Sequence, residues 1–177
     1  MYAVTESTTQ RRWRYRFCAL LVGALCALST SASARQFAAR ATAVPDGDTL
    51  WVQPEAGGAP QKLRLQGIDA PEICQVGGDA ARHALQQLVV NTTLHIEVRH
   101  VDDYGRGLAR IRVTGQDLGA VLVSKGHAWS YRWRRSPGPY ATQERLARQA
   151  GLGLFAHPTP ENPADFRKRH GSCHPPR

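Results

Sequence analysis

A series of short segments with β-strand character between residues 37 and 113 constrains the fold more than any other feature of this sequence. Residues 62–68 alternate, with Leu63 and Leu65 on one face and Arg64 on the other, as in a half-buried strand. Turn-forming residues separate such segments, and residues 102–105 (Asp-Asp-Tyr-Gly) predict a hairpin between the last two. The predicted strands cover residues 37–44, 49–52, 62–68, 92–99 and 107–113.

Segments with helical periodicity interrupt and follow these strands. Asp79 can cap a helix that runs to Val89, a short helix is predicted over residues 117–125, and Thr142 can cap a last helix with Leu146 and Ala147 facing the core. Together these elements predict an α+β fold, a five-stranded β-barrel with appended helices. The OB-fold barrel is one such solution, although strand count alone does not select it over other small α+β folds.

The N-terminal residues have the character of an export signal. Four arginines between residues 11 and 16 precede an apolar run of 12 residues, 17–28, and then small residues that end in Ala32-Ser33-Ala34. The run is too short to cross a bilayer as a helix. We therefore predict a signal peptide over residues 1–34 and a periplasmic or secreted protein without stable membrane association after cleavage. A retained anchor is the weaker alternative.

Charge and cysteine content bound the remaining chain. The full sequence carries a net charge of +9, and the 143 residues after the leader keep +6, because the leader holds four Arg and one Glu. Such an excess favours an anionic partner, either a nucleic acid or a membrane surface. After the leader only Cys74 and Cys173 remain, so an oxidising compartment predicts one disulfide between them, the alternative being two free thiols.

The chain is predicted to hold one domain over residues 35–157 and a Pro-rich, basic tail over residues 158–177. Proline and charge dominate this tail from Pro158 onward. We predict that it is extended and loosely packed except near Cys173.

Three segments carry chemically active side chains. Asp48, Asp69 and Glu72 offer oxygen ligands without an adjacent His, which favours Ca²⁺ or Mg²⁺ over zinc or copper. Arg64 and Arg106 are suited to phosphate oxygens. A metal, a further carboxylate and two arginines suit phosphodiester hydrolysis, although each segment taken alone is more commonly a turn or a loop.

Taken together and in this order, the segments resemble the thermonuclease family of staphylococcal-nuclease-like domains. The resemblance runs from about residue 41 to residue 155. It is carried by Val44-Pro45-Asp46-Gly47-Asp48-Thr49, by Leu63-Arg64-Leu65 leading into Ile68-Asp69-Ala70-Pro71-Glu72, and by Asp102-Asp103-Tyr104-Gly105-Arg106-Gly107.

The resemblance implies an OB-fold and a Ca²⁺-dependent endonuclease that cuts DNA and RNA and leaves 3′-phosphates. It implies that Asp48, Asp69 and the backbone carbonyl of Ala70 hold the metal and that Glu72 is the general base. It also implies that Arg64 and Arg106 bind the scissile phosphate. The implied site residues are therefore catalytic Arg64, Glu72 and Arg106, and metal-binding Asp48, Asp69 and Ala70.

Two tyrosines are predicted to contact the nucleotide. Tyr104 matches a position at the family's nucleotide pocket. Tyr131, with Arg132, Trp133 and Arg134, offers stacking and charge for single strands, and the segment is equally compatible with a solvated basic loop whose tryptophan docks in the core. We expect a monomer that acts on DNA and RNA with single strands preferred. The alternative is a non-catalytic OB-fold module that binds nucleic acid, and a membrane-surface protein is poorly supported because no amphipathic basic helix is present.

Overall fold

The computed structural model describes residues 34–171 and Cys173. The predicted signal peptide, residues 1–34, lies outside the described residues apart from its last position and stays a prediction. The strands are β1 (Arg35–Ala43), β2 (Thr49–Pro54), β3 (Gln61–Leu65), β4 (Ile68–Asp69), β5 (Leu94–Val101), β6 (Gly107–Val113), β7 (Gln116–Asp117) and β8 (Trp129–Ser130). The helices are α1 (Gly78–Val89), α2 (Leu118–Ser124), α3 (Ala141–Gln149) and α4 (Pro163–His170), with a 3₁₀ turn at Gly153–Ala156.

Five strands close into a barrel. They are hydrogen-bonded in the order β3-β2-β1-β5-β6, and a parallel pairing of β3 with β6 joins the two ends of the sheet. The closure removes both exposed edges, which an open sheet of this size would have to protect. The predicted OB-fold barrel of the α+β class is confirmed, and the strand over residues 107–113 has the predicted bounds.

The barrel interior is filled by the inward-facing residues of these strands. Leu50, Leu63, Leu65 and Ile111 are almost completely buried there, and Leu85 of α1 belongs to the same core. The predicted alternation is therefore confirmed: Leu63 and Leu65 face the core, and Arg64 lies on the polar face of the strand. None of the helices in the described part of the chain has the length and apolar character needed to span a bilayer.

Several local predictions are wrong for reasons visible in the structure. Helix α1 begins after Gly77, whose φ of +88° suits glycine, and Asp79 lies in its first turn and does not cap it. Helix α3 begins after Tyr140 and not after Thr142, and Leu146 is 52% exposed while Ala147 is buried. Only a narrow stripe of this short helix is buried. A prediction of the buried face that is wrong by one residue therefore places the exposed Leu146 in the core.

The predicted strand over residues 62–68 is interrupted by a turn. Its backbone leaves the barrel after Leu65, and Gly67 takes a φ of +84° at the turn. The chain then pairs Ile68 with Ser130 and Asp69 with Trp129 as a separate two-stranded sheet. This turn places Asp69 outside the barrel wall and beside Arg64.

The prediction of an extended tail is wrong for residues 163–170, which form α4. Asn162 caps this helix by accepting a hydrogen bond from the Ala164 amide at 2.9 Å, and Pro163 occupies its first turn. Phe166 is buried beneath the helix. An Asn-Pro start followed by a buried aromatic residue is a helix signal that the high charge of the segment obscures.

Candidate active site

The predicted site residues meet at one cavity of about 460 Å³ on the outside of the barrel. The cavity is lined by seven of the eight residues predicted for catalysis, metal binding or nucleotide contact, namely Asp48, Arg64, Ala70, Glu72, Tyr104, Arg106 and Tyr131. The eighth, Asp69, lies buried behind the lining, where its carboxylate accepts a hydrogen bond from Arg64. The structure thus brings together four segments that are distant in sequence.

Asp48 is held at the start of β2 by its own backbone. Its amide donates to Asp46 Oδ1 at 3.1 Å, and its carbonyl accepts from the Leu65 amide at 2.8 Å. Gly47 lies so close to α1 that a Cβ there would meet the Cβ of Ala81 at 2.6 Å and that of Ala70 at 2.8 Å. The glycine therefore allows the loop with Asp48 to lie directly against both α1 and the loop that follows Asp69.

Arg64 joins the two buried aspartates. Its Nη2 donates to Asp48 Oδ2 and to Asp69 Oδ1, each at 2.8 Å. Burial opposes the charge of Arg64, but these two carboxylates outweigh it and raise its pKa. Because the guanidinium is mostly buried, the three groups form an ion triad rather than a surface salt bridge.

Asp48 is the electrostatically strained member of the triad. Burial disfavours its charged form and raises its pKa to about 6, with further increases from Asp46 and Asp69 and an opposing decrease from Arg64. The Ala70 amide also lies 3.4 Å from Asp48 Oδ2. An additional positive charge at close range would stabilise the ionised form of this carboxylate.

Glu72 is fixed by the loop that precedes α1. Its amide donates to Gln75 Oε1 at 3.2 Å, and its carbonyl accepts from the Gln75 amide at 2.8 Å. A Cβ at Gly78 would lie 2.0 Å from this same carbonyl oxygen, so only glycine lets α1 begin here. The start of α1 therefore sets the position of the Glu72 side chain at the cavity.

Arg106 is positioned by the hairpin between β5 and β6. Asp102 Oδ1 accepts from the amides of Tyr104 and Arg106, and Asp102 Oδ2 accepts from Arg106 Nε at 2.8 Å. Burial opposes the charge of Asp102, but these hydrogen bonds outweigh it and lower its pKa. The Arg106–Asp102 ion pair uses Nε, so the terminal nitrogens of Arg106 are the donors that can reach a phosphate in the cavity.

Barrel closure places Arg106 next to Arg64. The parallel register pairs Leu63 with Gly107 and Arg64 with Leu108. Arg106 therefore lies one residue before the start of β6, level with the strand that carries Arg64. Both arginines line the cavity, and guanidinium groups are suited to binding phosphate oxygens.

The two predicted tyrosines line the cavity and are exposed to solvent. Tyr104 is 84% exposed at the hairpin tip, with the Arg106 guanidinium 5.3 Å from its ring centre. Tyr131 is held by a hydrogen bond from its amide to the Gly67 carbonyl at 2.9 Å. Trp129 is buried against Phe155, whereas Trp133 is exposed with Arg134 5.9 Å from its ring centre. Trp129 is thus the docked tryptophan of the second alternative, while stacking of single strands on this segment stays a prediction.

Arg167 is a site residue that sequence analysis missed. From α4 its Nη1 donates to Glu72 Oε1 at 2.9 Å and to Asp69 Oδ1 at 3.3 Å, and its Nη2 donates to Asp69 Oδ2 at 3.0 Å. These two carboxylates raise its pKa against the opposing effect of partial burial. The predicted disulfide was the available signal, since it brings the tail to Cys74, two residues after Glu72.

The disulfide itself is present. Cys74 and Cys173 are bonded with their Cα atoms 5.8 Å apart. The bond ties the end of the tail to the loop that carries Glu72.

The cavity offers oxygen donors, the donor type that hard cations prefer. Asp48 and Asp69 each have a carboxylate oxygen within hydrogen-bonding distance of Arg64 Nη2. Arg167 donates hydrogen bonds to both Glu72 and Asp69 and so links these two carboxylates. As arranged here, with guanidinium groups between the carboxylates, no group of three or more His, Cys, Asp or Glu among the described residues has the geometry of a metal site. An all-oxygen set of this kind, completed by backbone carbonyl or water, suits Ca²⁺ better than softer metals.

The closed barrel with its appended helices defines an OB-fold protein with a carboxylate and arginine cavity. Comparison with family models identifies residues 62–157 as a staphylococcal nuclease homologue. The chain belongs to this family.

Several curated relatives carry nuclease names. The chain is 31% identical over 130 residues to an uncharacterized endonuclease of Haemophilus influenzae, covering 73% of this chain and 72% of that one. It is 31% identical to a micrococcal nuclease of Shigella flexneri, covering 70% and 76%, and 34% identical to a probable staphylococcal-like nuclease of Oryza sativa, covering 60% and 29%. The chain spans about a third of the length of the plant relatives it matches.

Proposed function

We propose that this protein is a Ca²⁺-dependent endonuclease that hydrolyses phosphodiester bonds of DNA and RNA and leaves 3′-phosphates. The observation that carries the proposal is the meeting of Arg64, Glu72 and Arg106 at one cavity, beside buried Asp48 and Asp69, in a member of the staphylococcal nuclease homologue family. The nuclease names of the bacterial relatives support the same reaction class.

Asp48, Asp69 and the carbonyl of Ala70 are the proposed cation ligands. A bound Ca²⁺ supplies positive charge that stabilises the negative charge developing on the phosphate. The raised pKa of Asp48 supports this assignment, because burial without a further cation leaves its carboxylate undercompensated.

The protein side chains perform the remaining chemistry. Glu72 takes a proton from the attacking water, whose oxygen then bonds to phosphorus as the bond to the 5′ oxygen breaks. Arg64 and Arg106 bind the phosphate oxygens and stabilise the charge in the transition state. The Arg106 side chain is somewhat more exposed than that of Arg64, so Arg106 is also suited to stabilise the departing 5′ oxygen.

The proposed preference for single strands rests on the aromatic and basic residues at the cavity mouth. Tyr131 lines the cavity and Trp133 follows it with its ring exposed, while Arg134 adds positive charge beside that ring. Base stacking on such rings needs unpaired bases. We further propose export, which the Cys74–Cys173 disulfide and the predicted signal peptide support. We also propose a monomeric state.

The proposal is tested by digestion of single-stranded DNA with the purified protein in Ca²⁺, in Mg²⁺ and in EGTA. We expect hydrolysis in Ca²⁺ and its loss in EGTA, and hydrolysis that is insensitive to chelation would refute the metal dependence. We expect Glu72→Gln to lower kcat by about 10²–10⁴-fold, because it removes the general base and keeps the side-chain shape. Glu97→Gln, on β5 and paired with Arg99, is the matched control and should retain activity.

The alternative, a binding module without catalysis, makes a different prediction in the same assays. It requires the wild-type protein to bind single-stranded DNA without cutting it in any divalent cation. It also requires Glu72→Gln to bind as the wild type does.

A further inference from the structure

The segment from Pro158 to Cys173, here named the C-terminal arm, is anchored at several points beside the cavity. Gln75 Nε2 donates to the Glu161 carbonyl at 2.8 Å near the start of the arm. Phe166 is buried in the middle of the arm, and Cys173 is bonded to Cys74 at its end. Helix α4 is therefore held in one place by contacts that do not involve the cavity itself.

Arg167 is the residue of the arm that reaches the carboxylates of the cavity. Its neighbours pair within the arm, Lys168 with Asp165 and Arg169 with Glu161. Arg167 instead forms ion pairs with Asp69 and Glu72, and its side chain is 35% exposed. Because the helix is fixed and the side chain is long and partly solvated, Arg167 can leave the carboxylates without any movement of the arm.

The contacts of Arg167 conflict with a cation bound to the same carboxylates. Asp69 accepts one hydrogen bond from Arg64 and two from Arg167, so both of its oxygens are engaged by guanidinium groups. A divalent cation needs a lone pair of this carboxylate, and it would repel a guanidinium group that is hydrogen-bonded to the same carboxylate. Glu72 is engaged through the same Nη1, which occupies an oxygen that the proposed general base needs.

We propose that Arg167 is a tethered internal cation that competes with Ca²⁺ for Asp69 and Glu72, so that the C-terminal arm sets the Ca²⁺ concentration at which the site fills. This inference rests on the Ca²⁺ site of the proposed function. In the metal-free protein Arg167 neutralises the acidic cavity, and when Ca²⁺ binds, the side chain turns toward solvent or toward the substrate phosphate.

The expected effect follows from competition within one molecule. The observed dissociation constant is the intrinsic one divided by the fraction of molecules in which the carboxylates are uncovered. If Arg167 covers them in about 90% of metal-free molecules, its removal tightens Ca²⁺ binding about tenfold.

The test is calorimetric titration of Ca²⁺ into the full, oxidised protein in the absence of nucleic acid. We expect Arg167→Gln to bind Ca²⁺ about tenfold more tightly than the wild type. Lys168→Gln is the matched control, because it removes one positive charge from the adjacent position and should change the constant less than about twofold. Arg167→Lys keeps the charge but not the paired contacts, and its constant should lie between those of the wild type and Arg167→Gln.

The outcomes separate this inference from the proposed function. Unchanged or weaker binding by Arg167→Gln overturns the competition and leaves the Ca²⁺ site standing. An Arg167→Lys constant equal to that of the wild type shows that net charge alone is responsible and also overturns it. Absence of binding to every variant overturns the Ca²⁺ site and this inference with it, and circular dichroism verifies that each variant is folded.

Discussion

Replacement of Glu144 by glutamine tests the buried ion pair that supports the loop beside the cavity. Glu144 is 2% exposed, and its Oε2 accepts from the Ser130 amide at 2.9 Å. Its Oε1 accepts from Arg132 at 3.1 Å and from Arg148 at 3.0 Å. Every side of this carboxylate therefore faces a donor. A glutamine amide must point its NH₂ group at one of these donors in either of its two orientations.

The magnitude follows from those contacts. If the NH₂ group faces Ser130, a buried amide is left without an acceptor, which costs about 1–3 kcal/mol. If it faces the arginines, two hydrogen bonds to a charged group are lost, and the half-exposed guanidinium groups recover part of that cost from water. We expect the free energy of unfolding to fall by about 3 kcal/mol, which corresponds to a decrease in Tm of about 9 °C for a domain of this size.

Urea denaturation followed by circular dichroism at pH 7 measures this change directly. Glu97→Gln removes a partly exposed carboxylate paired with Arg99 and should change the unfolding free energy by less than about 0.5 kcal/mol. A loss below about 1 kcal/mol for Glu144→Gln would refute the reasoning. It would mean that the loop rearranges to satisfy the Ser130 amide without the carboxylate.

Two further predictions concern stability and pH. Tyr140 donates a hydrogen bond to Asp117 at 2.9 Å. Burial, and then this hydrogen bond, raise the pKa of Tyr140 to about 12. The stability that the protonated hydroxyl adds is therefore present below pH 10 and is lost as the pH rises through 12. Tyr140→Phe should therefore be less stable than wild type at pH 7, and the difference in urea midpoint should shrink above pH 10, whereas a constant difference would contradict the assigned pKa. Gly47→Ala places a methyl group within 3 Å of Ala70 and Ala81, and calorimetry should show a loss of about 1–3 kcal/mol from overpacking, with no loss if the loop can move away from α1.

The strands were predictable because their signal is local. Alternation of Leu63 and Leu65 with polar neighbours identifies a strand that buries one face, and the Gly- and Pro-rich segment over residues 54–60 marks the turn before it. The hairpin from β5 to β6 needs only a short connection, so its pairing also follows from the sequence. The parallel pairing of β3 with β6 joins residues more than 40 positions apart, and no local pattern encodes it.

The meeting of the candidate site residues at one cavity was predictable for a different reason. Their types, order and spacing match a family, and this match placed Asp48, Arg64, Glu72 and Arg106 together before any geometry was known. Arg167 follows from neither kind of signal. It lies beyond the matched region, in a segment whose charge suggested an extended tail, and its position depends on the burial of one aromatic side chain and on a distant disulfide.

The positive charge of the chain and its acidic cavity serve different steps of the proposed reaction. A net charge of +6 over residues 35–177 attracts a polyanion at long range, and this attraction weakens as salt rises. The buried carboxylates act only at short range, where Arg64 and Arg167 already compensate them in the absence of metal. Arrival of a cation at Asp48 and Asp69 would release part of that guanidinium charge into the cavity just where a phosphate must bind. Metal binding and substrate binding should therefore favour each other. The cation frees guanidinium groups to bind the phosphate, and a bound phosphate holds those guanidinium groups away from the carboxylates that the cation needs.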